Sequence, residues 1–312
     1  MSENAPLVSV VVVTYNSAKT VVETLDSISQ QTYKNIELIV SDDGSQDGTV
    51  EIVSKWVEEH KDDFVGSRVI SAERNTGTVK NLNRGIRASN GFWIKSIAGD
   101  DCLFPNAIAE YLAYVDIHRD CEFCISRMKL FCSEGCVSQD LVKQWESFFE
   151  QSNVEQELQY NLIIERLTFT GPSYFYTRKI YDKVGGFDES YILMEEWPFC
   201  LNVLSLSYKI HAIDKYLVRY RISSTSVCHQ RVNNLRNHIW YKDERKFFED
   251  RRRYLMLKKC RFLLLWSTSI SYCKEGILQE RKFGRLGSAI YHMLSLLEIG
   301  TYKKMINYFF KK

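Results

Sequence analysis

The sequence predicts an α/β protein built on an open, mainly parallel sheet with helices on both faces. Over the first hundred residues, strand patterns alternate with helical patterns. The first strand pattern, Leu7–Asn16, is a continuous apolar run rich in valine, which is typical of a parallel strand buried on both faces. The 312 residues are 45% hydrophobic and 26% charged, which excludes a disordered or collagen-like chain.

The first half of the chain reads as successive β–α units, whose right-handed crossovers produce a parallel sheet. The strand patterns cover Leu7–Asn16, Ile36–Ser45, Ser67–Asn75 and Phe92–Asp101. The helical patterns between them cover Ser17–Gln31, Thr49–His60 and Thr78–Ala88.

After Pro105 the alternation becomes irregular, which predicts a mixed second half packed beside the first. Strands are predicted at Glu122–Cys132 and Tyr216–Ile222, and helices at Asn106–His118 and Leu141–Arg166. The segment from Gly171 to Ser190 is rich in turn-forming and aromatic residues. From about Arg231 onward the apolar spacing is helical, including a stretch over Ile290–Tyr308.

Charge divides the chain unevenly. Residues 231–312 contain 19 Lys and Arg against 7 Asp and Glu, so that residues 1–230 are net acidic although the whole chain is +2. Three interpretations of the basic region compete: nucleic-acid binding, a solvated or oligomerising helical face, and attachment to an anionic membrane surface. An enzyme-like body disfavours nucleic acid, and we favour the membrane surface over the remaining alternative.

Nine scattered cysteines suggest free thiols rather than a disulfide framework. Zinc bound by Cys121, Cys124, Cys132 and Cys136 is less expected than ordinary buried thiols, since no histidine joins the group. The N-terminal residues lack the basic and apolar regions of a secretory signal, and no apolar run approaches the ~20 residues of a membrane span. We therefore expect a cytoplasmic protein, with peripheral attachment to the inner face of the membrane as a further hypothesis.

Polar residues follow the predicted parallel strands at the edge where such sheets bind ligands. They are Thr14-Tyr15-Asn16, Asp42-Asp43, Arg74-Asn75-Thr76-Gly77 and Asp100-Asp101. Paired carboxylates repel one another and need a cation or several donors. Mn²⁺ or Mg²⁺ completed by phosphate oxygens would satisfy them. Each pair alone could equally form an ordinary turn, but two pairs on one sheet edge favour a site.

The first β–α turn, TYNSAKT, contains no glycine, so the phosphate-binding turn of a dinucleotide oxidoreductase is excluded. A P-loop is absent from the sequence as well. The phosphates of a nucleotide would therefore be held by metal and side chains. Tyr15 could offer a flat face to a base, and Asp43 could accept a hydrogen bond from a base N–H.

Six segments, in order, resemble family-2 glycosyltransferases with the GT-A fold: SVVVVTYN, ELIVSDDGSQDGT, NTGTVKNLNRGI, IAGDD, GGFDES and MEEWPFCLNVL. The resemblance covers about residues 7–205, and YRISSTS extends it weakly to about 226. It implies metal-dependent, inverting transfer of a sugar from a nucleotide sugar. It also implies a GT-A domain over 1–230, with a nucleotide-sugar-binding half at 1–105 and an acceptor half at 106–230, followed by the basic helical region 231–312.

The resemblance implies a role for individual residues. Tyr15, between Thr14 and Asn16, would stack on the base, and Asp43 would hydrogen-bond it. Asp100 would contact ribose or metal, and Asp101 would be the principal metal ligand. Lys80 is a candidate phosphate contact, and Gly77 is counted among the nucleotide-binding residues. The acidic pair before Trp197 usually ends in the catalytic base, which falls on Glu196 beside Glu195, although acidic residues also favour any helix N-terminus.

The chain departs from the family pattern at several positions. Ala98 replaces the first aspartate of the D-x-D element, Leu82 replaces an arginine, Ser223 replaces a histidine, and the base is glutamate rather than aspartate. The predicted activity is transfer from a nucleotide-diphosphate sugar, with UDP as the favoured carrier, to a saccharide or lipid-linked acceptor in surface polysaccharide synthesis. The alternatives are a non-catalytic nucleotide-sugar-binding protein and a sugar nucleotidyltransferase. The sequence leaves the oligomeric state open.

Overall fold

The computed structural model describes residues 5–132, 142–143, 146–147, 149–150, 154–164, 171–223, 231–232, 235–280 and 284–297. The chain forms two compact units, residues 1–223 and 224–312. The first contains the sheet and every predicted site residue, and the second contains the basic region.

Four parallel strands form the first part of the sheet of the first unit, in the spatial order β3-β2-β1-β4. They are β1 Val8–Thr14, β2 Ile36–Asp42, β3 Gly66–Ser71 and β4 Trp93–Ala98. Thr14 of β1 lies opposite Asp42, and Val13 lies opposite Ala98. The register therefore brings the residues that follow β1, β2 and β4 to one edge, which confirms the predicted α/β fold class.

The connecting helices cover this parallel part of the sheet. They are α1 Val21–Ser29, α2 Thr49–Glu59 and α3 Thr78–Arg87, with a short 3-10 turn at Lys61–Asp63. The valines and isoleucines of β1 and β2 are almost all buried, as their continuous apolar pattern predicts. In α3, Gly85 lies against β1, where a Cβ would approach Val11 Cγ1 to 2.5 Å.

Four further strands extend the sheet beyond β4 in the order β7-β6-β8-β5, within the described residues. The pairs β4–β7, β7–β6 and β8–β5 are antiparallel, and β6–β8 is parallel. These strands are β5 Cys102–Leu103, β6 Phe123–Phe131, β7 Phe175–Thr177 and β8 His211–Arg221. The accompanying helices are α4 Ala107–Ile117, α5 Gln156–Ile164, the 3-10 turn Gly171–Ser173, α6 Arg178–Val184 and α7 Glu196–Ser205.

The second unit is mainly helical. A two-stranded antiparallel pair, β9 Arg231–Val232 and β10 Leu235–Arg236, precedes its helices. The helices are α8 His238–Phe247, a π-helical turn Phe248–Arg252, α9 Arg253–Lys258, α10 Phe262–Glu280 and α11 Gly284–Leu296. Among the residues described, no helix is both long enough and apolar enough to cross a membrane.

Several sequence expectations need correction. The region after Arg231 begins with the β9–β10 pair rather than a helix. A continuous helix over Leu141–Arg166 is wrong, because Val154 and Glu155 are not helical; parts of that segment lie outside the described residues. The third strand ends at Ser71 rather than Asn75. The strand β7 lies in the segment Gly171–Ser190, for which the sequence predicts only turns. Of the helical prediction over Ile290–Tyr308, residues 298–308 lie outside the described residues, as does Cys136.

Candidate active site

The first aspartate pair is fully hydrogen-bonded within the protein. Asp42, at the end of β2, accepts from Thr14 Oγ1 at 2.8 Å, from Ser45 N at 2.8 Å and from Ser71 Oγ at 3.2 Å. Its carboxylate therefore ties the ends of β1, β2 and β3 together. These donors compensate its burial, so Asp42 has no need of the cation that the sequence suggested.

Asp43 has the strongest set of donors at this edge and is 1% exposed. One oxygen accepts from the N–H groups of Thr76 and Gly77, at 2.8 and 2.7 Å. The other accepts from Thr76 Oγ1 at 2.6 Å and from Arg84 Nη2 at 3.2 Å. A carboxylate has about four acceptor positions, and these four contacts occupy all of them. For Asp43 to bind a base, one of these donors must move aside.

The residues after β1 form the exposed lip of the edge. Tyr15 is 48% exposed, so its ring offers a free face. Asn16 has a left-handed backbone conformation, with φ of 52°, and its amide oxygen accepts from Gln46 N at 3.0 Å. The N–H of Asn16 donates to Ser45 Oγ at 2.8 Å. The loops after β1 and β2 therefore fix one another and hold Tyr15 outward.

Gly77 lies at the start of α3, where its backbone requires the absence of a side chain. Its φ is +96°, and a Cβ there would lie 2.7 Å from the Ile192 carbonyl oxygen. The same carbonyl accepts from Val79 N at 3.3 Å. The loop before α7 therefore packs on the N-terminus of α3, beside Asp43. Lys80, one turn further along α3, is exposed.

The second aspartate pair differs from the first because one oxygen remains unpaired. Asp101 is 1% exposed, and its Oδ1 accepts from Arg221 N at 2.8 Å. Within the described part of the chain, no hydrogen-bond donor reaches its buried Oδ2. Burial and the neighbouring Asp100 charge hold the pKa of Asp101 well above its usual range. Burial also raises the pKa of Asp100, whereas Arg221 opposes that rise.

The unpaired oxygen of Asp101 makes this pair suitable for binding a divalent cation. A buried carboxylate without a donor is costly, and a hard cation with oxygen ligands removes that cost. In the described ranges no cluster of three or more His, Cys, Asp or Glu side chains could enclose a metal ion. A cation at Asp100 and Asp101 would thus need oxygen ligands from a bound phosphate or from water, which is the usual arrangement for Mg²⁺-type sites.

Glu196 is the first residue of α7, with Glu195 directly before it. Burial raises the pKa of Glu196 to about 7, and hydrogen bonds from its own N–H and from Gly171 N–H oppose that rise. A carboxylate with this pKa can accept and release a proton near neutral pH. Gly171 lies close to the pair, since a Cβ there would be 3.1 Å from Glu195 Oε1.

Aromatic packing fixes α7 on the sheet. The rings of Phe187 and Phe199 stack with centroids 4.3 Å apart, and Phe199 also contacts Phe123 of β6 at 5.7 Å. Cys200 lies one helical turn after Glu196, and its Sγ is 3.1 Å from the hydroxyl of Tyr174. The helix N-terminus that carries Glu196 is thus supported by buried side chains from β6 and from the segment around β7.

The sequence analysis did not identify three basic side chains that lie close to the predicted site residues. Arg84 donates to Asp43 and, at 3.1 Å, to the Asp42 carbonyl. Arg221 donates through Nε to the Asp100 carbonyl at 2.7 Å and pairs with Glu23. Lys95 is fully buried in β4, where burial lowers its pKa to about 7. The position of this lysine inside the otherwise apolar strand pattern FWIKSIA could have indicated a buried, functional side chain.

Comparisons with known proteins agree with this architecture. The model of the family described as "Glycosyl transferase family 2" matches residues 9–185. The uncharacterized glycosyltransferase MJ1057 of Methanocaldococcus jannaschii is 26% identical over 240 residues, which are 76% of this chain and 78% of that protein.

Two solved structures have a similar fold. TarS 1–349 of Staphylococcus aureus, in complex with UDP-GlcNAc, superimposes with a TM-score of 0.58 at 19% identity, covering 98% of this chain and 92% of that one. The mannosyltransferase PcManGT of Pyrobaculum calidifontis, in complex with GDP-Man and Mn²⁺, gives a TM-score of 0.55 at 18% identity, covering 82% and 65%. At these identities the likeness shows the fold, which is GT-A.

Proposed function

Because the chain belongs to glycosyl transferase family 2, we propose that it transfers a sugar from a nucleotide-diphosphate sugar to a hydroxyl group of an acceptor, with inversion at the anomeric carbon. The observation that carries this proposal is that the first unit contains two acidic sites of different character, one suited to a cation and one suited to proton transfer. Asp101 retains a buried oxygen without a donor in the described structure, and Glu196 is a buried carboxylate with a pKa of about 7.

We assign Glu196 as the general base. Direct displacement at the anomeric carbon requires a carboxylate that takes the proton of the attacking hydroxyl. In inverting glycosidases one carboxylate activates the nucleophile in the same way. The pKa of Glu196, raised by burial to about 7, keeps much of the side chain ionised at neutral pH while making it a stronger base than an exposed glutamate.

Asp100 and Asp101 would hold Mn²⁺ or Mg²⁺, which when bound neutralises the charge of a leaving nucleoside diphosphate. The backbone N–H of Arg221 donates to the Asp101 carboxylate, and its guanidinium donates to the backbone carbonyl of Asp100. Tyr15 and Asp43, with Thr14, Asn16, Gly77 and Lys80 around them, are proposed to bind the nucleoside and its phosphates. The UDP-GlcNAc complex of the similar TarS structure favours UDP as the carrier.

The acceptor is proposed to be a saccharide or a lipid-linked saccharide in surface polysaccharide synthesis. A relative in Mycobacterium bovis, 23% identical over 207 residues, carries the name PGL/p-HBAD biosynthesis glycosyltransferase. That relationship supports an acceptor of this general class.

The second unit is proposed to bind an anionic membrane surface. The segment around α9 and the start of α10 has basic residues and no acidic ones between Arg253 and Trp266. Three large aromatic side chains of this segment are exposed: Tyr254, Phe262 and Trp266. Basic charge with exposed aromatic rings is the pattern of a protein surface that lies on anionic lipid. This proposal includes a cytoplasmic protein attached to the inner face of the membrane.

Vesicle sedimentation tests the membrane proposal. The full chain should sediment with vesicles of phosphatidylcholine and phosphatidylglycerol but not with phosphatidylcholine alone, and added salt should reverse the binding. Replacing Phe262 and Trp266 by serine should weaken it. Absence of binding to the anionic vesicles, or equal binding to both compositions, would refute the proposal.

The catalytic proposal is tested with a panel of nucleotide sugars (UDP-glucose, UDP-galactose, UDP-GlcNAc and GDP-mannose) in the presence of Mn²⁺. Slow release of free sugar from one donor is expected, because water can replace the acceptor. Glu196→Gln should retain donor binding and lose this activity. Tight donor binding by the unmodified protein without any turnover, with every acceptor tried, would instead favour a non-catalytic binding protein.

A further inference from the structure

Lys95 is a charged side chain in the middle of the buried strand β4, and it is 0% exposed. Its Nζ donates to the carbonyl oxygens of Ser96 at 3.1 Å, of Tyr174 at 3.2 Å and of Pro172. An ammonium group has three N–H donors, and all three therefore have acceptors. Two of these carbonyls belong to the Gly171–Ser173 turn and the residue that follows it.

The same turn is held by a second buried donor. The hydroxyl of Tyr111, in α4, donates to the Ser173 carbonyl at 2.9 Å, and Tyr174 N donates to the Gly171 carbonyl at 3.0 Å. The carbonyl oxygens of residues 171–174 are thus all engaged. These bonds fix the backbone of the turn beside Glu196, where a Cβ on Gly171 would lie 3.5 Å from Glu196 Cγ, and the Gly171 N–H donates to the Glu196 carboxylate.

A buried lysine costs free energy, because the ammonium group loses its hydration. This cost is offset by its bonds to the Pro172 and Tyr174 carbonyls, which give Lys95 a role in fixing the turn. We propose that Lys95 is a positioning residue for the reaction: with Tyr111, it holds the Gly171–Ser173 turn so that Gly171 N–H stabilises the charged form of Glu196. This inference rests on the proposed role of Glu196 as the base.

Two variants test it. Lys95→Met removes the bonds to the Pro172 and Tyr174 carbonyls. Tyr111→Phe removes the bond to the Ser173 carbonyl and a hydrogen bond with Ser126 Oγ, without changing any charge near Asp101. Misplacing the base should lower kcat for Mn²⁺-dependent donor hydrolysis by about tenfold or more in Lys95→Met and by several-fold in Tyr111→Phe, with KM for the donor little changed. Tyr33→Phe, which removes a tyrosine bond to the Pro6 carbonyl away from the turn, is the matched control.

The pH profile separates positioning from a general loss of packing. A carboxylate that loses a hydrogen bond to its charged form is harder to ionise, so the acidic limb of the kcat profile should move to higher pH, by about one unit in Lys95→Met. Among the described residues, the titratable groups that face Glu196 are Glu195, Tyr174 and Cys200. Burial raises the pKa of Tyr174 and of the Cys200 thiol, so both stay protonated near pH 7. Lys95 itself has a pKa of about 7 in the unmodified protein, so Tyr111→Phe, which keeps this lysine, is the variant in which a moved limb reports Glu196.

A readout without turnover completes the test. Glu196→Gln is introduced into the unmodified protein, into Tyr111→Phe and into Lys95→Met, and the change that it makes in the free energy of unfolding is measured against pH in each background. This change should increase between about pH 5 and pH 8, and it should increase more in the two variant backgrounds than in the unmodified protein. An unmoved pH limb together with equal stability differences would overturn the positioning role. Full activity of Glu196→Gln would instead overturn the proposed base, even with the stability differences intact.

Discussion

Replacing Glu196 by glutamine should make the protein more stable at high pH while removing its activity. Glutamine cannot ionise, and its amide oxygen can still accept from Gly171 N–H. Burial raises the pKa of Glu196 from 4.5 to about 7. Each pH unit between the folded and unfolded pKa corresponds to about 1.4 kcal/mol, so the ionised side chain costs the folded protein about 3 kcal/mol.

The sign and the pH window follow from the raised pKa. Below about pH 4.5 the side chain is protonated in both states and the cost is absent. Above about pH 7 it is ionised in both states and the cost is complete. The free energy of unfolding of Glu196→Gln, minus that of the unmodified protein, should therefore rise by about 3 kcal/mol across this window.

Denaturant unfolding at about pH 4.5 and about pH 8 measures this difference. Glu51→Gln is the control, because Glu51 is exposed on α2 and its replacement should leave the difference near zero at both pH values. An equal stability difference at the two pH values would refute the buried, raised-pKa state of Glu196, and with it the physical basis of its assignment as the base.

Three further predictions concern the donor site. Asp101→Ala should abolish the Mn²⁺-dependent rise in melting temperature that UDP gives the unmodified protein, and an undiminished rise would remove Asp101 from the metal site. Tyr15→Ala should weaken UDP binding by about tenfold or more in calorimetry and leave the melting temperature unchanged, because stacking is lost from an exposed ring; unchanged affinity would exclude stacking. Arg84→Met should lower the free energy of unfolding by about 3 kcal/mol, because it leaves the buried Asp43 carboxylate without its cation; a loss below about 1 kcal/mol would show that backbone donors suffice.

The parallel half of the fold follows directly from its sequence pattern. The run VSVVVV in β1 predicts a strand buried on both faces, and β1 is followed by the amphipathic helix α1. The shared edge of β1, β2 and β4 then follows from parallel pairing. The antiparallel half was less predictable, because β7 has three residues and β5 has two, and such short strands depend on their neighbours for hydrogen bonds.

The acidic residues of the site could be predicted from the sequence, but their hydrogen-bond donors could not. The sequence places Asp42 and Asp43 at a strand end, as it does Asp100 and Asp101, and it predicts the same cation-binding role for both pairs. Only the structure distinguishes them: Asp43 accepts from Thr76, Gly77 and Arg84, whereas Oδ2 of Asp101 has no donor in the described structure. Such contacts join positions more than thirty residues apart, and a local pattern contains no information about them.

The stereochemistry of donor hydrolysis tests the central claim most directly. A nucleotide sugar with an α-linkage is incubated with the protein and Mn²⁺, and the first sugar released is observed by proton NMR before its anomers equilibrate. Direct attack by a water molecule that gives its proton to Glu196, with the nucleoside diphosphate leaving from the opposite face, predicts the β anomer first. Release of the α anomer first would contradict a single displacement and the assignment of one carboxylate as the base.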